Sequence, residues 1–71
     1  LIGMKLIDML VHVKILPSKS EARRMLVGGG IYLNNEKIAD ENLVINKQHI
    51  IEDEYLLVGI GKKRKVIVQV N

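Results

Sequence analysis

A proline and a run of three glycines mark the two ends of one short segment, and they limit what that segment can fold into. The residue before Pro17 disfavours helical geometry, so no helix runs smoothly through this point. Ser18 and Glu21 then have the spacing of a capping box, in which each side chain bonds a backbone N–H near the start of a helix. Residues 28–30 are all glycine, which permits the left-handed backbone on which many helices end. The sequence therefore predicts a helix between these signals.

This predicted helix has one apolar stripe and one basic face. The stripe consists of Ala22, Met25 and Leu26. At about 100° of rotation per residue, Lys19, Arg23 and Arg24 all point away from that stripe. An arrangement of this kind buries one side of a helix and leaves its cations in solvent.

Another amphipathic helix is predicted before the proline, over residues 5–14 (KLIDMLVHVK). Apolar side chains recur there at i, i+3, i+4 and i+7, the spacing that aligns one stripe along a helix. These side chains are Leu6, Met9, Leu10 and Val13. Each of the two helices therefore has one face to bury.

After the glycines, apolar and polar residues alternate, which predicts strands. Residues 31–38 (IYLNNEKI) are predicted as a hairpin with Asn34 and Asn35 at its turn. Asparagine tolerates the positive φ that a two-residue hairpin turn needs at both central positions. The resulting register sets Tyr32 opposite Lys37.

A second hairpin is predicted near the end of the chain, with strands at residues 55–60 and 65–70 and a turn near residues 61–64. Two apolar runs between the hairpins, residues 43–45 and 50–51, have the composition of short strands. The predicted fold is α+β, with two N-terminal helices packed on a small, mostly antiparallel sheet.

The length of 71 residues fits a single domain, residues 1–71, with a modest core. The chain has no cysteine, so we expect a compartment in which disulfides are not needed. No apolar run approaches the roughly 20 residues of a membrane helix and no signal-peptide pattern occurs, so we expect neither a membrane partner nor secretion. Because Leu1 stands where a start methionine would, we expect a piece of a longer protein.

The sequence offers little for catalysis or metal binding. Asp8 and His12 lie four apart on the first helix with no nucleophile beside them, so an ion pair is the simpler interpretation. His49 and Asp53 have the helical spacing of two metal ligands, but two ligands do not make a site. The glycines end a helix and lack the Gly-Lys-Ser/Thr ending of a phosphate loop. We expect no catalytic residue, metal or cofactor in this domain.

Charge is unevenly distributed, which favours a nucleic-acid partner. Residues 36–54 hold six acids and two bases, whereas residues 55–71 hold four bases and no acid. Lys37 would join the basic face of the second helix if that helix packs beside the first hairpin, and residues 62–65 (KKRK) form a second basic patch. Such bases neutralise phosphates. The alternatives are a solvated surface, or ion pairs between the helix arginines and the acids of the middle segment.

Aromatic content narrows the kind of nucleic acid. Only Tyr32 and Tyr55 are present, whereas modules that bind single strands stack bases on several aromatic side chains. This composition is better suited to gripping the phosphates of a folded or double-stranded RNA by shape. We interpret Tyr32 as a cross-strand residue of the sheet.

Residues 17–24 (PSKSEARR), the glycine stop and residues 31–37 (IYLNNEK) together resemble the S-four-type RNA-binding domain, named after a small-subunit ribosomal protein. That family has a helix, a Ser-Arg/Lys-Ser/Thr turn, a second helix with Ala-Arg, a Gly-Gly-like stop and a Val-x-Val-Asn-Gly hairpin. Residues 5–38 match it in spacing and residue type, except that Asn35 stands where glycine is usual. The resemblance implies the S-four-like fold, with its alpha-L RNA-binding motif.

The second half of the chain is similar to one branch of that family. Residues 51–70 form a longer hairpin with a Gly-Lys-Lys turn at residues 61–63, as in the C-terminal domain of bacterial-type tyrosyl-tRNA synthetases, organellar enzymes included. Members often carry basic residues just before that turn, where this chain has Gly59 and Ile60. With both halves, the resemblance covers nearly the whole chain.

The resemblance implies a noncatalytic C-terminal domain that clasps tRNA near the anticodon stem and variable arm. The catalytic domain, which would use ATP, would belong to the same parent chain, in the cytoplasm or in a mitochondrial or plastid matrix. Two alternatives stay open: an S-four-type domain on ribosomal RNA in a modifying or ribosome-associated protein, and a noncatalytic protein-interaction domain.

The residues expected to contact RNA lie on two segments. The resemblance places the second helix and the adjoining turn at the interface, with Ser18, Lys19, Ser20, Arg23, Arg24, Asn35 and Lys37. The charge pattern adds the turn of the second hairpin, with Lys62, Lys63, Arg64 and Lys65.

Overall fold

Two helices precede a four-stranded antiparallel sheet in the computed structural model, which describes residues 2–70. The helices are α1 (Leu6–His12) and α2 (Lys19–Val27), and the strands are β1 (Ile31–Leu33), β2 (Glu36–Lys37), β3 (Tyr55–Ile60) and β4 (Arg64–Gln69). A 3-10 turn covers Lys47–His49. The predicted α+β class, with two helices before the sheet, is confirmed.

Helix α1 is shorter than the predicted span of residues 5–14. Val13 ends it, and Lys14 adopts a left-handed φ of 63°. The backbone N–H groups of Ile15 and Leu16 then both donate to the Leu10 carbonyl, at 3.0 and 3.2 Å. Both of these side chains are buried. The chain leaves the helix early because it must turn back to bury two more apolar residues before the proline.

Helix α2 begins and ends where the sequence predicts. The Ser18 hydroxyl accepts from the Glu21 N–H at 3.2 Å, which is one half of the predicted capping box. The other half is wrong, since the Glu21 carboxylate accepts from the Arg24 guanidinium and not from the Ser18 N–H. At the far end, Gly29 has a φ of 81° and its N–H donates to the Leu26 carbonyl. This left-handed glycine stops the helix.

The strand order β2-β1-β3-β4 joins the two predicted hairpins side by side. Asn34 and Asn35 have φ values of 54° and 69°, as the predicted two-residue turn requires, and Tyr32 lies opposite Lys37. In the second hairpin Arg64 already pairs with Ile60, so β4 begins one residue earlier than predicted. Strand β1 also pairs with β3, and this pairing joins the two hairpins into one sheet.

The apolar runs between the hairpins form single bridges in place of the predicted short strands. Val44 bridges to Lys5, just before α1, and Ile51 bridges to Tyr55. Ile45 is fully buried, and its N–H donates to the Met4 carbonyl at 2.9 Å. The segment therefore packs against the start of α1 and does not extend the sheet.

The helices cover one face of the sheet, called here the inner face. Its strand residues alternate with those of the opposite, outer face, which contains Tyr32 and Ile67. The buried core is made of apolar residues from both layers: Leu6, Ile7, Met9, Leu10, Ile15, Leu16, Ala22, Leu26, Ile31, Leu33, Ile45, Leu56, Val58, Ile60 and Val68. Within residues 2–70, neither helix has the length and apolar character needed to cross a membrane.

Replacement of Leu26 tests this core. Leu26 is 1% exposed and Val27, the next residue, is 70% exposed. We expect Leu26→Ala to lower the free energy of unfolding by about 2–5 kcal/mol, because it removes buried methyl groups and leaves a cavity. Val27→Ala is the matched control and should change it by less than about 0.5 kcal/mol. Urea denaturation of both variants measures the difference, and equal effects would remove Leu26 from the core.

Candidate nucleic-acid interface

All residues predicted to contact RNA are exposed, and they lie on three parts of the fold. Helix α2 and its cap present Ser18, Lys19, Ser20, Arg23 and Arg24; the β1–β2 hairpin presents Asn35 and Lys37; the β3–β4 turn and the start of β4 present Lys62, Lys63, Arg64 and Lys65. Exposure leaves each of them accessible to a ligand. Their electrostatic surroundings differ between these parts.

The cations of α2 are each paired with a carboxylate, so the predicted face is of mixed charge. Lys19 lies 3.2 Å from an Asp8 oxygen, and Arg24 lies 3.3 Å from a Glu21 oxygen. Arg23 lies 3.9 Å from Glu41, an acid of the middle segment. The side chains remain largely exposed, Lys19 to 65%, Arg23 to 55% and Arg24 to 74%. Exposed pairs of this kind contribute only about 0–1 kcal/mol, so a polyanion can displace them.

The cations of the two hairpins are free of such pairing. Within residues 2–70, no carboxylate lies at ion-pair distance from Lys37, Lys62, Lys63 or Arg64. Lys65 donates from its ammonium group to the Asn35 side-chain oxygen, which leaves its charge uncompensated. These groups retain their full attraction for phosphate.

Lys37 connects the first hairpin to the end of α2. A Cβ on Gly29 would lie 2.6 Å from the Lys37 Cε and 3.0 Å from its Nζ, so the lysine chain lies directly over this glycine. The carbonyl groups at a helix C-terminus favour a cation there. Arg24 belongs to the same last turn of α2. The structure thus brings Lys37 to the helix, as predicted, but at the end opposite Lys19.

The outer face brings together residues that the sequence assigned to separate patches. Tyr32 lies beside Gly59, and Gly59 lies beside Lys65, in one row across three strands. A depression of about 240 Å³ on this face is lined by Tyr32, Asn35, Gly59, Gly61, Lys62 and Lys65. Sequence reasoning missed Tyr32 and Gly59 as site residues because their proximity comes from the non-local pairing of β1 with β3.

A second cleft, of about 220 Å³, lies between the two helices and the segment that follows β2. It is lined by Lys5, Ile7, Asp8, Lys19, Arg23, Glu41 and Asn42. The Lys5 ammonium donates to the Asn42 side-chain oxygen at 3.4 Å. Two carboxylates offset the cations here, so this cleft attracts polyanions less than the outer face does.

The arrangement gives no support to a metal or catalytic centre. Among residues 2–70, no three His, Cys, Asp or Glu side chains are grouped so that they could hold a metal ion. The helical spacing of His49 and Asp53 is wrong, because His49 ends a 3-10 turn and its Nδ1 accepts from the Asn46 N–H. Asp8 pairs with Lys19 of the other helix.

Comparison with known proteins gives a consistent result. Residues 2–68 match the family model described as the tyrosine–tRNA ligase SYY-like C-terminal domain. The chain is 51% identical over 65 residues to a tyrosine–tRNA ligase of Protochlamydia amoebophila, an alignment that covers 92% of this chain and 15% of the relative.

Two further relatives are also tyrosine–tRNA ligases. A tyrosine–tRNA ligase of Clostridium botulinum is 48% identical over 66 residues, covering 90% of this chain and 16% of that protein. A chloroplastic/mitochondrial tyrosine–tRNA ligase of Arabidopsis thaliana is 42% identical over 69 residues, covering 97% of this chain and 14% of that protein. The chain therefore spans 14–16% of the length of these relatives.

The weakness of the α2 ion pairs can be measured. Glu41 is exposed, and its carboxylate lies 3.9 Å from the Arg23 guanidinium. We expect Glu41→Gln to change the free energy of unfolding by less than about 1 kcal/mol, because solvent screens an exposed pair. Urea denaturation of the variant beside the parent chain gives the value. A loss above that limit would show that Arg23 is held in place structurally and is not available to a ligand.

Proposed function

The chain belongs to the family of tyrosine–tRNA ligase SYY-like C-terminal domains, and on that premise we propose that it binds structured RNA, with tRNA as its partner, through phosphate contacts. The observation that carries this proposal is the set of exposed, uncompensated cations on the two hairpins. Cations without carboxylate partners bind a polyanion without first losing an internal contact. The resemblance to the synthetase domain that the sequence indicated is confirmed, while the wider S-four-type assignment remains a prediction.

Two groups of cations would contribute unequally to this binding. Lys62, Lys63 and Arg64 can bind phosphate without first breaking an ion pair to a residue of the described range 2–70. Arg23 and Arg24 must exchange a carboxylate for a phosphate, which reduces their net gain. Arginine is nevertheless well suited to that exchange, because its planar fork bonds two phosphate oxygens together. We assign the larger share of the affinity to the second hairpin.

Ser18 and Ser20 have a smaller part in the proposed interface. The Ser18 hydroxyl oxygen already accepts the Glu21 N–H as the cap of α2, so it can offer RNA its proton and one remaining lone pair. Ser20 lies in the first turn of the same helix and is exposed. Both hydroxyls can donate to a phosphate oxygen, but neither adds the positive charge that the nearby lysines and arginines bring to such a bond.

The small number of aromatic residues supports a folded RNA over a single strand. The chain has two tyrosines and no phenylalanine or tryptophan, too few for the stacked bases of a single-strand binder. Phosphates on a folded RNA are held at fixed spacings, and cations on a rigid sheet and helix can match them.

The same proposal extends to the parent protein. The relatives are named tyrosine–tRNA ligases and are several times longer than this chain, so we propose that a catalytic domain in the same parent chain uses ATP to activate tyrosine. We place the parent in the cytoplasm or an organelle matrix, where tRNA is charged. The relatives named above are all tyrosine–tRNA ligases, which favours tRNA over the ribosomal-RNA and protein-interaction alternatives.

Salt dependence tests the electrostatic character of the binding. If about four phosphates are contacted, the logarithm of the association constant for tRNA should fall with the logarithm of salt concentration at a slope of roughly −3 to −4. Fluorescence anisotropy of labelled tRNA at several salt concentrations measures this slope. A slope near zero would contradict phosphate-driven binding.

Charge removal separates the contributions of the two groups. We expect Lys62→Gln plus Lys63→Gln to weaken tRNA binding at least as much as Arg23→Ala plus Arg24→Ala, for which a loss of at least about tenfold is expected. All four side chains are exposed, so the fold should persist, and a thermal melt checks this. Unchanged tRNA binding in both folded double variants would reject the interface.

Release of Arg23 provides a gain-of-binding test. Glu41→Gln should strengthen tRNA binding because it frees the arginine from its carboxylate partner. Glu52→Gln is a matched control, since it removes the same charge from an exposed glutamate that makes no ion pair within residues 2–70. An equal gain from both variants would show only a general effect of net charge.

A further inference from the structure

The centre of the outer face has an aromatic ring placed against a bare stretch of backbone. Tyr32 in β1 pairs with Gly59 in β3. A Cβ on Gly59 would lie 3.1 Å from the Tyr32 Cβ and 3.6 Å from its ring atoms Cγ and Cδ1. The absence of a side chain at residue 59 therefore lets the ring lie close to the sheet and leaves a depression beside it.

Two lysines line the depression beside this ring, and none of the carboxylates of residues 2–70 does. Lys65 lies opposite Gly59 on β4. Lys62 and Lys65 line the depression itself, with Gly61 and Asn35. In the cleft between the helices, by contrast, two carboxylates face the cations. The outer depression is therefore the more electropositive of the two.

A single hydrogen bond crosses the depression. Lys65 on β4 reaches past β3 to donate to the Asn35 side-chain oxygen in the β1–β2 turn. This bond holds an ammonium group near the ring. The Tyr32 hydroxyl has no hydrogen-bond partner within residues 2–70, so it too is available to a ligand.

We propose that this depression binds one unpaired nucleotide of the RNA, with its base against the Tyr32 ring and its phosphate at Lys62 and Lys65. The inference rests on the proposed function and adds a site to it. An aromatic ring offers a face for one base, and ammonium groups beside it match the phosphate of the same nucleotide. Asn35 supplies amide groups that can bond a base edge once Lys65 turns to the phosphate.

A base that is paired within an RNA helix cannot occupy this site. Bases inside an RNA helix are stacked on their neighbours and cannot also stack on a protein ring, whereas bases at bulges, loops and ends can turn outward. One ring accommodates one base, which agrees with a chain that has too few aromatic residues to hold a single strand. The depression therefore recognises a local irregularity in an RNA whose paired parts are held by phosphate contacts.

Two short RNA duplexes that are identical except for one unpaired nucleotide test this site. We expect the chain to bind the bulged duplex at least fivefold more tightly than the paired duplex, in keeping with the contribution of one stacked base. Tyr32→Leu should abolish that preference and leave the affinity for the paired duplex within about twofold of its original value, since leucine keeps an apolar contact over Gly59 but offers no ring.

Tyrosine fluorescence provides a second measurement that does not depend on the Tyr32 variant folding. The chain has two tyrosines and no tryptophan, so Tyr55→Phe leaves Tyr32 as the only strong emitter. Its emission should be quenched by the bulged duplex and not by the paired one. Lys65→Gln, at an exposed position of β4, should reduce the preference for the bulged duplex and keep the fold.

The outcomes separate this site from the proposed function. Equal affinity for the two duplexes, or a preference that persists in a folded Tyr32→Leu variant, overturns the nucleotide site. The tRNA titrations described above decide the proposed function independently, so tRNA binding with no bulge preference leaves the function in place and removes only the site. Loss of tRNA binding as well overturns both.

Discussion

The antiparallel pairing of β1 with β3 is the contact on which the rest of this structure depends. It joins two hairpins that are separated by residues 38–54 and turns them into one sheet. Ile31 and Leu33 thereby lie next to Ile60 and Val58, which creates an apolar inner face wide enough for two short helices to cover. Helices of seven and nine residues are marginal in isolation, so this covered face supplies most of their stability. The same pairing also forms the outer face, where Tyr32 lies beside Gly59.

Charge pairing divides the cations of this domain into two classes. Those of α2 lie beside carboxylates from α1, from their own helix and from the middle segment, at 3.2 to 3.9 Å. Those of the two hairpins have no such partners within residues 2–70. An exposed pair holds its cation weakly, so the helix remains a usable but secondary part of the interface. The net charge of +3 conceals this difference.

Several features of the site followed from local sequence, and others did not. The turn at Asn34 and Asn35 was predictable because each residue tolerates positive φ by its own chemistry. The ion pair between Arg23 and Glu41 was only one of the alternatives consistent with the charge pattern, because the local sequence does not determine where the middle segment lies. Val44 forms a single bridge where the apolar composition predicts a strand. Composition indicates the propensity to form a strand, but not whether a neighbouring strand is present to pair with it.

The sequence by itself determined the two helices, the two hairpins, the Ser18 cap and glycine stop of α2, and the apolar stripes that the helices bury. These features depend on backbone preferences and side-chain periodicity that act over a few residues. Only the tertiary structure decided that Lys37 lies over Gly29, that Lys65 reaches Asn35 and that Tyr32 rests against Gly59. Two of these three contacts join residues far apart along the chain, and all three positions follow from how the sheet and helices together bury the most apolar surface. No local signal encodes that collective balance.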